Sequence, residues 1–248
     1  MTPTIGIQQF SLRNYPGGWA PAFKAARSMG FDAIEPWCGA VPNDPDAATS
    51  VEGLRASIEQ AELSLTCGHM TVAEFDARYE EWSHFLLDNG STTWVIPFAK
   101  ADSLDEWLAL LPKFREMQAV LAKDGLDLAY HNHHMELDEF NGKRVMQHLL
   151  DEMPELGAQF HIAQFKPSRG ISLPEWIREY EGRVCALHVN DATEEGPARL
   201  GEGVCEAEAS VDAALETGVD TFIIEVDLTP ETADGVKRDL ETLRRWIG

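Results

Sequence analysis

Residues 126–136 read LDLAYHNHHME. An apolar run that ends in three histidines, an asparagine and a glutamate is the pattern of a strand leaving a core for a polar loop. Strand side chains alternate between faces. His131 and His133 therefore share the face of Ala129, while Tyr130 and Asn132 point the other way. His134, Met135 and Glu136 fall where the strand gives way. Gly125 stands directly before the run, after a helical stretch from Leu104 to Lys123. A glycine there can adopt the left-handed conformation that closes a helix.

The unit of helix, glycine, apolar strand and polar strand end recurs. Gly30, Gly90, Gly157, Gly182 and Gly218 precede the strand-like runs FDAIEPW, STTWVIPFA, AQFHIAQF, RVCALHV and VDTFIIEVD. TIGIQQFSL at the start and LSLTCGHM from Leu63 bring the set to eight. Helical spacing of apolar residues fills the gaps. Trp19–Met29 carries Phe23, Ala26 and Met29; Val51–Leu63 carries Leu54, Ile58 and Ala61; Val72–Leu87 carries Phe75, Tyr79, Trp82 and Leu86. Val145–Leu150, Leu173–Tyr180, Ala207–Leu215 and Val236–Ile247 supply the rest, and Pro112 should kink or split the helix of Leu104–Lys123. Strands alternating with helices at about 30-residue spacing argue a parallel sheet, and eight such units argue its closure into a (β/α)8 TIM barrel, an α/β fold spanning residues 1–248 as one domain. The alternative arrangement, an open doubly wound sheet, would want a glycine-rich phosphate loop after the first strand. The chain has RNYPGG at residues 13–18 instead, and the GEG of Gly201–Gly203 is a weak phosphate signal.

Composition narrows the partners. The 248 residues carry a formal charge of −22 with 44% hydrophobic content, which disfavours nucleic acid and anionic membrane surfaces. The four cysteines form no CxxC, and Cys67 and Cys185 lie in apolar runs that suggest buried thiols in a reducing compartment. The start, MTPTIGIQQF, has neither a basic region nor an apolar signal core, and no apolar run approaches the roughly 18 residues of a membrane span. The expectation is a cytoplasmic protein with a small-molecule partner, and a homodimer is compatible with it.

In such barrels the reactive groups sit at the C-terminal strand ends. Those ends hold Gln8, Phe10 and Arg13; Glu35 and Trp37; His69; Pro97 and Lys100; His131, His133 and Glu136; His161 and Gln164; His188, Asn190 and Asp191; Glu225 and Asp227. Six of the eight histidines fall on or just past strand ends, and only His84 and His148 fall on helices. Imidazoles and carboxylates converging on one mouth suit proton transfer next to a carbonyl. That chemistry needs an electrophile for the developing enediolate and a base in reach of the carbon. A His and Glu donor set without cysteine suits Mn, Zn, Co or Mg and leaves the choice open.

At these residues the chain resembles the xylose isomerase-like TIM barrels, the sugar phosphate isomerase/epimerase superfamily. The motifs are IGIQQFSLR, GFDAIEPW with Glu35, TCGHM with His69, YHNHHMEL, EYEGRVCALHVND with His188, and LGEGVCEAEASVDAALETGVDTFIIEVD with Glu225. The resemblance implies a divalent metal held by a fifth-strand glutamate, a sixth-strand aspartate, a seventh-strand histidine and an eighth-strand glutamate. Carried over, the metal ligands are Glu136, His161, His188 and Glu225. The catalytic groups are Glu136, Glu225, His131 and His133, and the substrate contacts are Arg13, Glu35, His69, Gln164 and Asn190. The chain departs from the pattern in three places. His161 stands at the aspartate position and Asn190 at a lysine. The usual fifth-strand ligand glutamate aligns near His131, so that either Glu136 reaches in or His131 ligates instead. The implied function is a metal-dependent sugar, keto-sugar or polyol isomerase or epimerase. The competing readings are a metal-free degenerate barrel that binds a sugar, a related dehydratase or lyase, and a metal-dependent nuclease acting at abasic DNA, which the acidic balance opposes.

Overall fold

A computed structural model describes residues 2–41 and 44–248, and the side chains of 2–39 and 50–248. Nine short strands form one sheet: β1 (Thr4–Gln8), β2 (Ala33–Glu35), β3 (Ser64–Leu65), β4 (Gly68–His69), β5 (Thr93–Ile96), β6 (Asp127–His131), β7 (Gly157–His161), β8 (Val184–Val189) and β9 (Thr221–Ile224). Every pairing in it is parallel, in the order β3-β2-β1-β9-β8-β7-β6-β5-β4. The two ends of that order, β3 and β4, are halves of one strand interrupted at Thr66 and Cys67. The half at β4 bonds back to the second strand's extension, with His69 N–H on the Pro36 carbonyl and Cys38 N–H on the His69 carbonyl, both at 2.9 Å. The sheet is thereby closed into an eight-position (β/α)8 barrel.

The helices are α1 (Trp19–Met29), α2 (Val51–Ala61), α3 (Val72–Asp88), α4 (Leu104–Leu108), α5 (Leu111–Leu121), α6 (Val145–Glu152), α7 (Leu173–Glu179), α8 (Ala207–Glu216) and α9 (Ala233–Ile247). Pro112 does split its helix. It lies in the first turn of α5, where a missing N–H costs nothing. Gly30 closes α1 at φ 107°, giving its N–H to the Ala26 and Arg27 carbonyls. The second helix ends without a glycine, on Glu62 at φ 55°. The helices bury Phe23, Leu54, Ile58, Phe75, Trp82, Phe114 and Leu149 against the outer face of the sheet.

Inside the barrel the period of two sorts the layers. Cys67, Val95, Ala129, Ala186 and Ile223 form a small apolar cluster. Two residues beyond four of them, on the same face, stand His69, His131, His188 and Glu225. The apolar layer is the floor on which the polar ring rests. All four cysteines are unpaired; Cys67 is buried as expected, whereas Cys185 is only half-buried, packed at the edge of that floor. No helix among the described residues is long and apolar enough to cross a membrane.

Candidate active site

Four amide and carboxylate side chains fix the ring of histidines. The Phe10 backbone N–H donates to Gln8 Oε1 at 2.9 Å, which turns Gln8 Nε2 toward Glu35 and His69. Glu35 is fully buried on β2. Its Oε2 accepts from His188 Nε2 at 2.6 Å and from Gln8, and its Oε1 accepts from Gln159 Nε2 at 2.6 Å and Cys67 Sγ at 3.0 Å. An ionised carboxylate only accepts, so Gln159 must face it with its NH2 group. The Gln159 carbonyl then faces two rings, His131 Nδ1 at 2.8 Å and His69 Nε2 at 2.6 Å. Both of those nitrogens must carry hydrogen, which leaves His131 Nε2 with a free lone pair. Glu225, at the end of β9, accepts from His188 Nδ1 at 2.9 Å, with its side chain 24% exposed toward the mouth.

Charge follows this geometry. Burial works against the His188 cation, but Glu35 and Glu225 on either side raise its pKa to about 10. Burial also opposes the Glu35 anion, yet His69 and His188 bring its pKa down to about 2. Glu225 is lowered likewise, against burial, by the hydrogen bond from His188. Near neutral pH the four other rings of the cluster are uncharged. Burial is the first cause in each case, lowering His69, His131 and His133 and taking His161 to about 3.

Two groups of donors lie close enough to share a cation. In the first, His131, His161, His188 and Glu225 each offer an atom within 4.8 Å of the others. His131 Nε2 and His161 Nδ1 are 3.3 Å apart, His161 Nδ1 and Glu225 Oε2 3.4 Å, and His188 Nδ1 and Glu225 Oε2 2.9 Å. Tetrahedral bonds of about 2.0–2.1 Å have edges of roughly 3.3 Å, so this spacing fits a first-row dication. The second group, Glu35, His69 and His188, does not fit one. The lone pairs of Glu35 are taken by His188, Gln8, Gln159 and Cys67, and His69 Nε2 holds a proton for Gln159.

The other residues suggested by the sequence fall into place around this ring. Glu136 joins neither group. The 3-10 turn Met135–Leu137 carries it back beneath the loop, where it is fully buried and accepts from Tyr130 Oη at 2.6 Å and the His133 backbone N–H at 2.8 Å. Burial raises its pKa. His133 faces a cavity of about 270 Å³ lined by Phe10, Trp37, His69, Phe98, His131 and Glu225, and its buried Nδ1 has no hydrogen-bond partner among the described residues. A second cavity of about 560 Å³ shares Phe10 and Glu225 with the first and takes in Arg13, Gln164, Lys166, Asn190 and Arg199. Arg13 is paired there with Asp227 at 2.6 Å. Asn190 contacts His161 at 2.7 Å. Gln159 is the residue that sequence reasoning passes over; its one signal is its place in the strand AQFHIAQF, two positions before His161 and on the same face.

The closed parallel sheet is a (β/α)8 TIM barrel, with the ring of histidines and glutamates at the C-terminal ends of its strands. No family model matches the chain, and no curated protein matches its sequence. Solved structures do match the fold. A sugar phosphate isomerase/epimerase from Parabacteroides distasonis superposes with a TM-score of 0.79 at 15% identity, covering 98% of this chain and 96% of that one. A probable 3-DHS dehydratase from Bacillus anthracis does so at 0.72 and 12%, covering 97% and 98%. A xylose isomerase-like TIM barrel protein from Mycobacterium smegmatis in complex with magnesium does so at 0.68 and 15%, covering 100% and 97%.

Proposed function

We propose that this chain is a metal-dependent enzyme that moves a proton at the carbon next to a carbonyl of a sugar, keto-sugar or polyol, as an isomerase or epimerase, with dehydration as the related outcome. One observation carries the reading: His131, His161, His188 and Glu225, from four different strands, present donor atoms within 4.8 Å of one another at the base of a cavity. A dication bound by this group would supply an electrophile for the carbonyl oxygen. The names of the Parabacteroides and Bacillus proteins, an isomerase/epimerase and a dehydratase, agree with chemistry of this kind.

The side chains divide the remaining work. His133 lines the cavity and its ring is neutral, so it can take or return a proton at the substrate. Glu136 holds the His133 backbone N–H and so sets where that ring stands. Glu225 reaches both cavities and is the acid best placed to meet substrate. Glu35 keeps His188 turned so that Nδ1 faces the cavity side. Phe10, Trp37, Phe98 and Met135 surround the first cavity with apolar surface that sheds water from the reacting centre. Unpaired cysteines agree with a cytoplasmic setting.

Two measurements test the reading. Metal analysis of untagged protein should find one dication per chain. Incubation in D2O with a panel of ketoses, aldoses and their phosphates should give metal-dependent deuterium uptake at the carbon beside the carbonyl, followed by NMR. Failure of both defeats it. The competing reading, a metal-free sugar-binding barrel, draws on the same His188: both its nitrogens already meet carboxylates, at 2.6 and 2.9 Å. A protein that binds a sugar and takes up no dication would establish that reading.

A further inference from the structure

We propose that Asn190 fixes His161 with its hydrogen on Nδ1, which makes His161 a donor to the ligand group and excludes it from the ligands. The inference rests on the metal-dependent reading above. It starts from the backbone. The Ala163 N–H can only donate, and it meets Asn190 Oδ1 at 2.9 Å, so the orientation of that amide is set. Its Nδ2 is then the atom 2.7 Å from His161 Nε2. An amide N–H pointed at a ring nitrogen needs a lone pair there, and a neutral imidazole with a lone pair on Nε2 carries its hydrogen on Nδ1.

That hydrogen has two acceptors in front of it. Glu225 Oε2 lies 3.4 Å from His161 Nδ1. His131 Nε2 lies 3.3 Å away and is bare, because His131 spends its own hydrogen on Gln159 Oε1. The arrangement is self-consistent from Gln159 to Asn190, with each hydrogen facing one lone pair. A nitrogen coordinates only once its hydrogen is gone; His188 carries two and can release the one on Nδ1 while keeping the other for Glu35, whereas the neutral His161 carries only one. For His161 to ligate, its hydrogen would have to move to Nε2, against the Asn190 N–H. The amide would then have to turn and give up Ala163. His161 and Asn190 are both largely buried, at 7% and 8% exposure, so giving up that bond would cost stability.

The ligand set is thereby His131 Nε2, His188 Nδ1 and Glu225, two imidazoles and one carboxylate, with positions left open toward the cavity. Imidazole-rich sets suit zinc or iron, whereas magnesium prefers oxygen donors. His161 Nδ1–H becomes a hydrogen-bond donor for a substrate oxygen placed beside Glu225. The two departures from the resembling pattern, His161 for aspartate and Asn190 for lysine, touch each other and act as one change.

Long-range 1H–15N correlation of the histidine rings, on metal-free full-length protein, reads the assignment directly. His161, identified by its loss in His161→Gln, is expected with hydrogen on Nδ1 and a bare Nε2. Asn190→Asp should reverse this, because a carboxylate accepts where the amide donated. It should also tighten zinc about tenfold or more as Nδ1 becomes a fourth ligand. In a His161→Ala background the same substitution should gain less than about threefold, the part due to charge alone. Hydrogen on Nε2 of His161 in the unaltered protein overturns the inference, as does a gain that persists undiminished without His161. A protein with the expected ring assignment that takes up neither zinc nor magnesium upholds the role of Asn190 and defeats the proposed function instead, so the two fail separately.

Discussion

Glu35→Gln asks whether the central ring is held by charge. The carboxylate is fully buried and meets donors on both oxygens: His188 and Gln8 on one, Gln159 and Cys67 on the other. Glutamine keeps the volume, removes the charge and turns one acceptor into a donor that faces donors. Removing one partner of a buried ion pair costs about 3–5 kcal/mol. The protonation behaviour gives a similar figure. Burial raises the carboxyl pKa, yet His69 and His188 hold it at about 2 against an ordinary 4.5, a difference worth on the order of 3 kcal/mol. His188 moves further, from 6.5 to about 10 against its burial, because Glu225 adds to Glu35; the pair is counted once. A loss of about 3 kcal/mol is a large share of a typical 5–15 kcal/mol and should lower Tm by roughly 6–12 °C for a chain of this length. Urea unfolding of metal-free protein, followed by tryptophan fluorescence, measures it. The sign with pH is fixed by the two groups. The lowered Glu35 contributes above 4.5 and is lost as pH falls through about 2. The raised His188 contributes fully below 6.5 and is lost as pH rises through about 10. The gap between the two proteins is therefore widest near pH 5–6 and closes above about pH 10. A loss under about 1 kcal/mol near pH 6, or a gap unchanged in strong alkali, would refute the reasoning.

Other perturbations read separate parts of the structure. His188→Ala and Glu225→Ala should each abolish metal uptake and turnover, checked by metal analysis and the deuterium assay; either variant keeping both would remove the site assigned here. Gly203→Ala should cost about 1–3 kcal/mol in thermal unfolding. Its Cβ would overlap the Asp191 carboxylate and come within 2.7 Å of the Ala192 carbonyl, so undiminished stability would show that the loop is placed otherwise. Tyr130→Phe should cost about 1–3 kcal/mol in urea. It leaves the Ala99 N–H without its acceptor at 2.9 Å and Glu136 without its donor at 2.6 Å; a neutral result would mean that those groups find other partners.

The fold was legible because its signals are local. Alternation in LDLAYHNH puts Ala129 and His131 on one face, and the barrel interior bears this out with Ala129 in the apolar floor and His131 in the polar ring. What lies beyond a strand end is not local in that sense. Glu136 reads as a ligand from its nearness to three histidines, but a 3-10 turn reverses the chain and spends its carboxylate on Tyr130 and His133. The run LSLTCGHM reads as one strand; its break at Thr66 and Cys67 is what sets the Cys67 thiol against Glu35. Gln159 escapes sequence reasoning, and Gln8 is legible only as a residue at a strand end, because an amide in a strand has no chemistry until its neighbours are known. Here they decide which histidine nitrogen carries hydrogen.

The distribution of cations around the ring constrains how a substrate can lie. The chain carries −22 overall, and the first cavity is lined by no lysine or arginine among the described residues. With Glu225 at its base, that cavity favours a dication and the neutral hydroxyl and carbonyl groups of a sugar. Of these two cavities, the second is the one that described lysine and arginine side chains line. Arg13 is already tied to Asp227 there, and Arg199 to Asp239 at 2.9 Å, while Lys166 has no ion pair among the described residues. Because the two cavities meet at Phe10 and Glu225, a sugar bearing a phosphate could satisfy both charges in only one direction. Under the proposed function, its carbonyl end would lie against the histidines and its phosphate toward Lys166, with Glu225 between them.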